Sequence, residues 1–138
     1  PIIYGDGEQK RSFSDIEDCI YCLDKLLFDK KINKQVVNIG PDENFITINQ
    51  LFNILSNKLK FNKNAQYHKD RPNEVKYAKC SSDKARKLLN YKTKVSLKEG
   101  IQKTFEYIKE RGVKPFEYHI NLEINNDLTP ETWKKKEI

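Results

Sequence analysis

The sequence predicts an α/β domain, a small sheet with flanking helices. Four segments carry apolar residues at helical spacing, and three short runs of β-branched or aromatic residues lie among them. Glycine and proline turns bound those runs. The predicted order is strand, helix, strand, helix, strand, helix, helix, which suits one thin sheet covered by helices.

The first strand, Ile2 to Tyr4, runs into a turn at Gly5-Asp6-Gly7. The first helix is expected from Ser14, with Glu17 at the reciprocal position of a capping box. Its apolar stripe is Ile16, Cys19, Ile20, Leu23 and Leu27. Val36 to Ile39 is β-branched and ends at Gly40-Pro41, which predicts a second strand. The second helix opens at Thr47 with Gln50 as capping partner and carries Ile48, Leu51, Phe52, Leu55 and Leu59 on one face. Ala65 to His68 is the third strand, ahead of Asp70-Arg71-Pro72. A short third helix starts near Ser82 and is expected to bury Ala85, Leu88 and Leu89. The fourth opens at Ser96 with Glu99, turns Leu97, Ile101, Phe105 and Ile108 to the core, and stops at Gly112.

Beyond that glycine the pattern changes, so the chain divides into a domain over 1–112 and a C-terminal arm over 113–138. Phe116, Tyr118, Ile120, Leu122 and Ile124 alternate with polar residues, as an extended arm does. Thr129-Pro130 then starts a short terminal helix bearing Trp133. Nothing inside the tail can bury Trp133, so it is expected to dock on the body or on another subunit.

Lys and Arg total 26 against 20 Asp and Glu, a net charge of +6 that favours an anionic partner. The cations are spread beside acids, and only Lys134, Lys135 and Lys136 form a run, so most are solvated surface. The aromatics are not interleaved with Arg or Lys, and no nucleic-acid-binding motif is present, so no nucleic acid partner is expected. No apolar run reaches membrane-spanning length, and no membrane partner is expected. Three cysteines, an odd number, fit a reducing, cytoplasmic setting. Cys19-Ile20-Tyr21-Cys22 has the C-x-x-C spacing but no second ligand pair, so no metal is expected. A start at Pro1 directly in a strand-like run is what a piece of a longer protein would show.

Two segments carry the chemistry. In the first, Tyr4 to Phe13, a strand meets two glycines, then Gln9 and Arg11. Glycine permits close backbone approach to a ligand. Arg11 offers a forked donor for phosphate oxygens, and Gln9 an amide for a sugar hydroxyl. In the second, Asp70 to Val75, Pro72 fixes the chain beside Arg71, and Glu74 is placed to accept from a ribose diol. Spacing alone also fits a plain turn with a surface arginine in the first case, and an exposed Arg–Glu pair in the second.

Taken in order, seven blocks resemble the extended short-chain dehydrogenase/reductases that act on nucleoside-diphosphate sugars. They are Tyr4 to Phe13; the following helix with its acid, Asp18; Val37-Asn38-Ile39-Gly40; Thr47-Ile48-Asn49-Gln50-Leu51; Arg71-Pro72-Asn73-Glu74; Ser81 to Tyr91 around Lys84-Ala85 and Leu88-Leu89; and Ser96-Leu97-Lys98-Glu99-Gly100-Ile101. The resemblance covers residues 1 to about 112 and implies that family's substrate domain without its Rossmann half. It implies diphosphate contacts at Arg11 and Arg71, a ribose contact at Glu74, a nucleobase against Ile3 and Tyr4, and Gln9 near the ribose or phosphate. Glu74 is one methylene longer than the aspartate common at that position.

The family binds NAD at a glycine-rich turn. Glycine occurs here only at 5, 7, 40, 100 and 112, so no cofactor-binding residue is assigned and NAD belongs to the intact parent. The family's catalytic Tyr-x-x-x-Lys pair lies upstream of the first motif. The local match Tyr21 to Lys25 falls in the helix after it, so no catalytic residue is assigned. The resemblance therefore implies the nucleotide-sugar-binding portion of an NAD-dependent epimerase acting at a sugar carbon, commonly C4, and inactive alone. A dehydratase or UDP-glucuronate decarboxylase fragment is the alternative, and a stand-alone nucleotide-binding module a further one. The expected partners are a nucleoside-diphosphate sugar and the missing N-terminal Rossmann half, with a homo-oligomer left open.

Overall fold

The structure, a computed structural model, describes residues 1–115, 123 and 125–136. The alternating segment 116–124 predicted as an extended arm lies almost wholly outside them. The described strands are β1 (Ile2–Tyr4), β2 (Lys10–Arg11), β3 (Ile46–Thr47), β4 (Gln66–His68) and β5 (Tyr77–Ala78). The helices are α1 (Ile16–Phe28), α2 (Ile48–Leu59), α3 (Asp83–Leu89), α4 (Leu97–Arg111) and α5 (Glu131–Lys134), with a 3₁₀ turn at Lys30–Ile32. The α/β expectation holds, a small sheet system with helices around it.

The strands form two ladders. β1 pairs with β4 in parallel, with Ile3 opposite Tyr67 and Tyr4 opposite His68. β2 lies between β3, antiparallel, and β5, parallel. Three of these strands are only two residues long and one is Lys10-Arg11, so register and not residue propensity defines them. The turn joining β1 to β2 is held from outside. Gly5 and Gly7 both have positive φ, and a β-carbon at either would collide with Asp70 or Asn49 respectively. Asn49, in the first turn of α2, donates to Asp6 O and Glu8 Oε1 and accepts from the Tyr67 hydroxyl. The close approach these glycines permit is thus to side chains of the same chain.

The helix ends follow side-chain chemistry. Thr47 and Ser96 each form a full capping box, with Gln50 and Glu99. α1 departs from expectation because its cap is Asp15, which accepts from Glu17 N, and not Ser14. Its packed face also differs from the predicted stripe. Ile16, Ile20, Leu23 and Leu27 are exposed, whereas Asp18 and Cys22 are buried. The cause is polar. The Asp18 carboxylate accepts from the backbone N–H groups of Lys94 and Val95 at 3.1–3.3 Å, turning that face of the helix onto the loop before α4. Cys22 then joins the core with Ile32, Ala85, Leu89 and Tyr91, flanked by Tyr21, Leu26, Val37 and Ile39.

Val36 to Ile39 is not a strand, because no described neighbour supplies a ladder; Val36 is exposed while Val37 and Ile39 reach the core. Leu88 is more exposed than expected: the buried line of α3 is Ala85 and Leu89, one helical turn apart, and Leu88 lies at its flank. Ile108, expected in the core, is half exposed near the end of α4.

A cluster of charges ties α3 to the loop after Gly40. Arg86 makes a two-pronged pair with Asp42 and also reaches Glu43 Oε1 at 3.1 Å and Asp83 Oδ1 at 3.0 Å. Ser82 N donates to Asp42, and its hydroxyl donates to Gly40 O. The Asp42 carboxyl is held far below the usual carboxylate range, chiefly by its hydrogen bond from Arg86, and Glu43 is lowered chiefly by a hydrogen bond from its own backbone N–H, with Arg86 and Thr93 adding to it.

Candidate functional site

Two arginines from distant parts of the chain meet on one carboxylate. Arg11 sits on β2, the central strand of its ladder, and its Nη1 donates to Lys10 O at 2.8 Å. Its Nη2 donates to Glu74 Oε1 at 2.6 Å across 63 positions of sequence. Arg71 arrives from the opposite oxygen, with Nη2 2.9 Å from Glu74 Oε2. The turn between them is set locally: Pro72 fixes its φ, Asn73 takes φ +58°, and Glu74 N donates to Arg71 O at 3.2 Å. That fold-back carries Glu74 onto both guanidinium groups.

The charge balance of the trio is one positive unit. Each carboxylate oxygen accepts one guanidinium and retains a lone pair. Arg71 has unspent donors, and its buried Nε has no partner among the described residues. Its guanidinium lies 4.9 Å over the Tyr4 ring, so Tyr4 braces it from β1. Beside the trio opens a cleft of about 420 Å³ lined by Arg11, Arg71, Pro72, Asn73, Glu74, Val75, Ala78, Pro130 and Trp133. A neighbouring cleft of about 290 Å³ shares Arg71, Pro72 and Pro130 and adds Tyr4, His68 and Lys135.

The six residues singled out from sequence divide. Arg11, Arg71 and Glu74 are together, and Tyr4 adjoins them. Ile3 is buried and lines a separate apolar pocket with Ile48, Phe52 and Leu55. Gln9 is buried too, and its Nε2 donates to Tyr4 O at 3.0 Å, so it secures the end of β1 from inside. Tyr21, of the Tyr21–Lys25 match, packs its ring against the ammonium groups of Lys25 and Lys94 and lines neither cleft.

The terminal helix supplies what the sequence reading missed. α5 does reach the body, but Thr132 and not Trp133 is the buried residue, its hydroxyl paired with the Tyr4 hydroxyl. Trp133 stays 45% exposed, because Thr132 occupies the inward position and leaves the indole on the cleft side. The lone tryptophan beside a helix-start signal was the available clue.

The sequence profile of the family described as GDP-mannose 4,6 dehydratase matches residues 1–104. A UDP-glucuronate 4-epimerase of Thermodesulfobacterium geofontis is 32% identical over 108 residues, 78% of this chain and 33% of that protein. Among solved structures, the UDP-glucose 4-epimerase of Thermotoga maritima, determined with UDP-glucose, is 33% identical with a TM-score of 0.72, over 80% of this chain and 35% of that one. The UDP-glucuronic acid 4-epimerase of Bacillus cereus, in complex with UDP-glucuronic acid and NAD, is 32% identical with a TM-score of 0.74, over the same shares. The chain thus spans about a third of the length of these relatives, and its small sheet with flanking helices matches the C-terminal part of the epimerase structures. With the profile covering most of its length and the fold agreeing, the chain belongs to the GDP-mannose 4,6-dehydratase family, among the extended short-chain dehydrogenase/reductases of nucleoside-diphosphate sugars.

Proposed function

We propose that this chain is the nucleotide-sugar-binding portion of an NAD-dependent sugar-nucleotide epimerase. The observation that carries this is the meeting of Arg11 and Arg71 on Glu74 beside an open cleft. Two guanidinium groups offset one carboxylate and leave a positive surplus for a diphosphate, with charge-assisted bonds to its oxygens. The free lone pairs of Glu74 accept from the ribose hydroxyls. Tyr4 holds Arg71 in place, while Ile3 and Gln9 act indirectly by fixing β1. The relatives whose structures contain UDP-sugars support a uridine nucleotide.

In the whole protein the proposed reaction is reversible oxidation and epimerisation at C4 of the sugar, where NAD would supply the hydride acceptor. The residues here do not fit that cofactor. The Gly5–Gly7 turn is occupied by Asp70 and Asn49 and leads into a two-residue strand, not a helix, so no hydride step is assigned to this chain. Its contribution is binding and orientation. The exposed stripe of α1, from Ile16 to Leu27, is read as the face that the cofactor-binding half covers. The arm over 113–138 is read as an addition to the binding domain over 1–112, and the cytoplasm as the setting. A dehydratase is the second reading, favoured by the matching family profile.

Calorimetric titration of the 138-residue chain with UDP, dTDP, GDP and CDP tests the site. UDP is expected to bind, with affinity falling by about tenfold or more in Arg11→Ala and in Arg71→Ala, since each removes a charge-assisted pair worth about 1.5–3 kcal/mol. Affinity unchanged in both variants would remove the assignment.

A further inference from the structure

We infer that Trp133 is the base-contacting wall of the diphosphate cleft, so that the chain's last helix completes a site begun on its first strand. This rests on reading the cleft as a nucleoside-diphosphate site. The mechanical link is continuous. Thr132 is 4% exposed and its hydroxyl meets that of Tyr4, so α5 is seated at the site. The ring of Tyr4 in turn carries the guanidinium of Arg71. The next residue along α5 places a half-exposed indole in the lining that holds Arg11, Arg71 and Glu74.

Elimination points to the same residue. A heteroaromatic base tethered to a diphosphate at the arginines needs a flat apolar partner within the cleft. The Tyr4 ring is engaged by Arg71 and, edge-on, by His68 at 6.0 Å. Ile3 is buried in a different pocket. Phe45 and Tyr77 pack on each other and line neither cleft. Trp133 is the one aromatic among the described residues lining the arginine cleft. An indole left this exposed gains from coverage by a stacked base, and such stacking survives changes of base because every base has a π face.

The chain has a single tryptophan, so its emission reports on this position alone. The experiment titrates wild type, Trp133→Ala and Trp133→Phe with UDP and with inorganic pyrophosphate, following heat in all and indole fluorescence in the wild type. UDP is expected to change the emission with the same midpoint as the heat. Trp133→Ala should bind UDP about tenfold more weakly, and Trp133→Phe should recover most of that loss. Pyrophosphate, which has no base, should bind all three proteins alike. UDP binding that depends on Arg11 and Arg71 but is equal in wild type and Trp133→Ala, with silent emission, would overturn the inference and leave the diphosphate site standing. No binding of either probe to the wild type would overturn both.

Discussion

Two arginine–carboxylate clusters in this chain use the same chemistry to opposite ends. Around Arg86, one guanidinium meets Asp42, Glu43 and Asp83, and the acids outnumber the cation. Around Glu74, one carboxylate meets Arg11 and Arg71, and the cations outnumber the acid. In the first cluster both Nη atoms of Arg86 are engaged from within, and Asp42 also accepts a backbone N–H from Ser82. The second keeps a buried Nε on Arg71 with no partner among the described residues, and it faces a cleft. Stoichiometry separates them: an arginine surrounded by acids is a fastener, and an acid shared by two arginines leaves the surplus positive charge on which the proposed diphosphate site rests.

The sharpest way to break this comparison is to remove each arginine in turn. Arg86→Ala leaves three carboxylates facing one another, and its melting temperature is expected to fall by roughly 5–10 °C. Its UDP affinity, measured well below that temperature, should match wild type. Arg71→Ala is expected to behave the other way, losing UDP while melting within about 2 °C of wild type, because Glu74 keeps Arg11. Thermal denaturation and calorimetry on both variants decide it; a loss of UDP binding in Arg86→Ala at full folding would merge the two clusters.

Acid should distinguish them next. The Asp42 carboxyl titrates far below its ordinary range in the folded chain, chiefly through Arg86. A carboxylate whose folded value is depressed contributes stability above its unfolded value, near pH ~4, and loses it as pH falls toward the folded value. Asp42→Asn lacks that contribution at every pH. The wild type should therefore melt several degrees above Asp42→Asn at pH ~6, and the gap should narrow steadily below pH ~4. A gap constant with pH would mean that Asp42 acts by shape and not by charge.

How much of this was readable from residues depends on which physical signal each feature uses. The capped starts of α2 and α4 are local, since Thr47 with Gln50 and Ser96 with Glu99 each close within one turn. The packed face of α1 is not local. Both its faces carry apolar residues, and what orients the helix is Asp18 accepting backbone donors more than seventy positions away. Val36 to Ile39 has strand propensity, but a strand also needs a bonded neighbour. Arg11, Arg71 and Glu74 stood out because their order along the chain matches a family. Trp133 did not, because the contact that seats its helix, Thr132 on Tyr4, joins opposite ends of the sequence.

The smallest expected effect sharpens the comparison most narrowly. At the Glu74 cluster the acid is the minority charge, so Glu74→Gln keeps an acceptor of the same length and removes the one group that repels an incoming anion. A unit charge about 5 Å away in water-like surroundings is worth ~0.8 kcal/mol, so inorganic pyrophosphate should bind about fourfold more tightly. UDP should gain less, because a glutamine oxygen accepts from the ribose diol less strongly than a carboxylate. The equivalent change at the other cluster, Asp42→Asn, still leaves Glu43 and Asp83 on Arg86 and should create no pyrophosphate binding there. If Glu74→Gln weakens pyrophosphate, then the carboxylate's service in aligning the two guanidinium groups outweighs its repulsion, and Glu74 is a fastener after all.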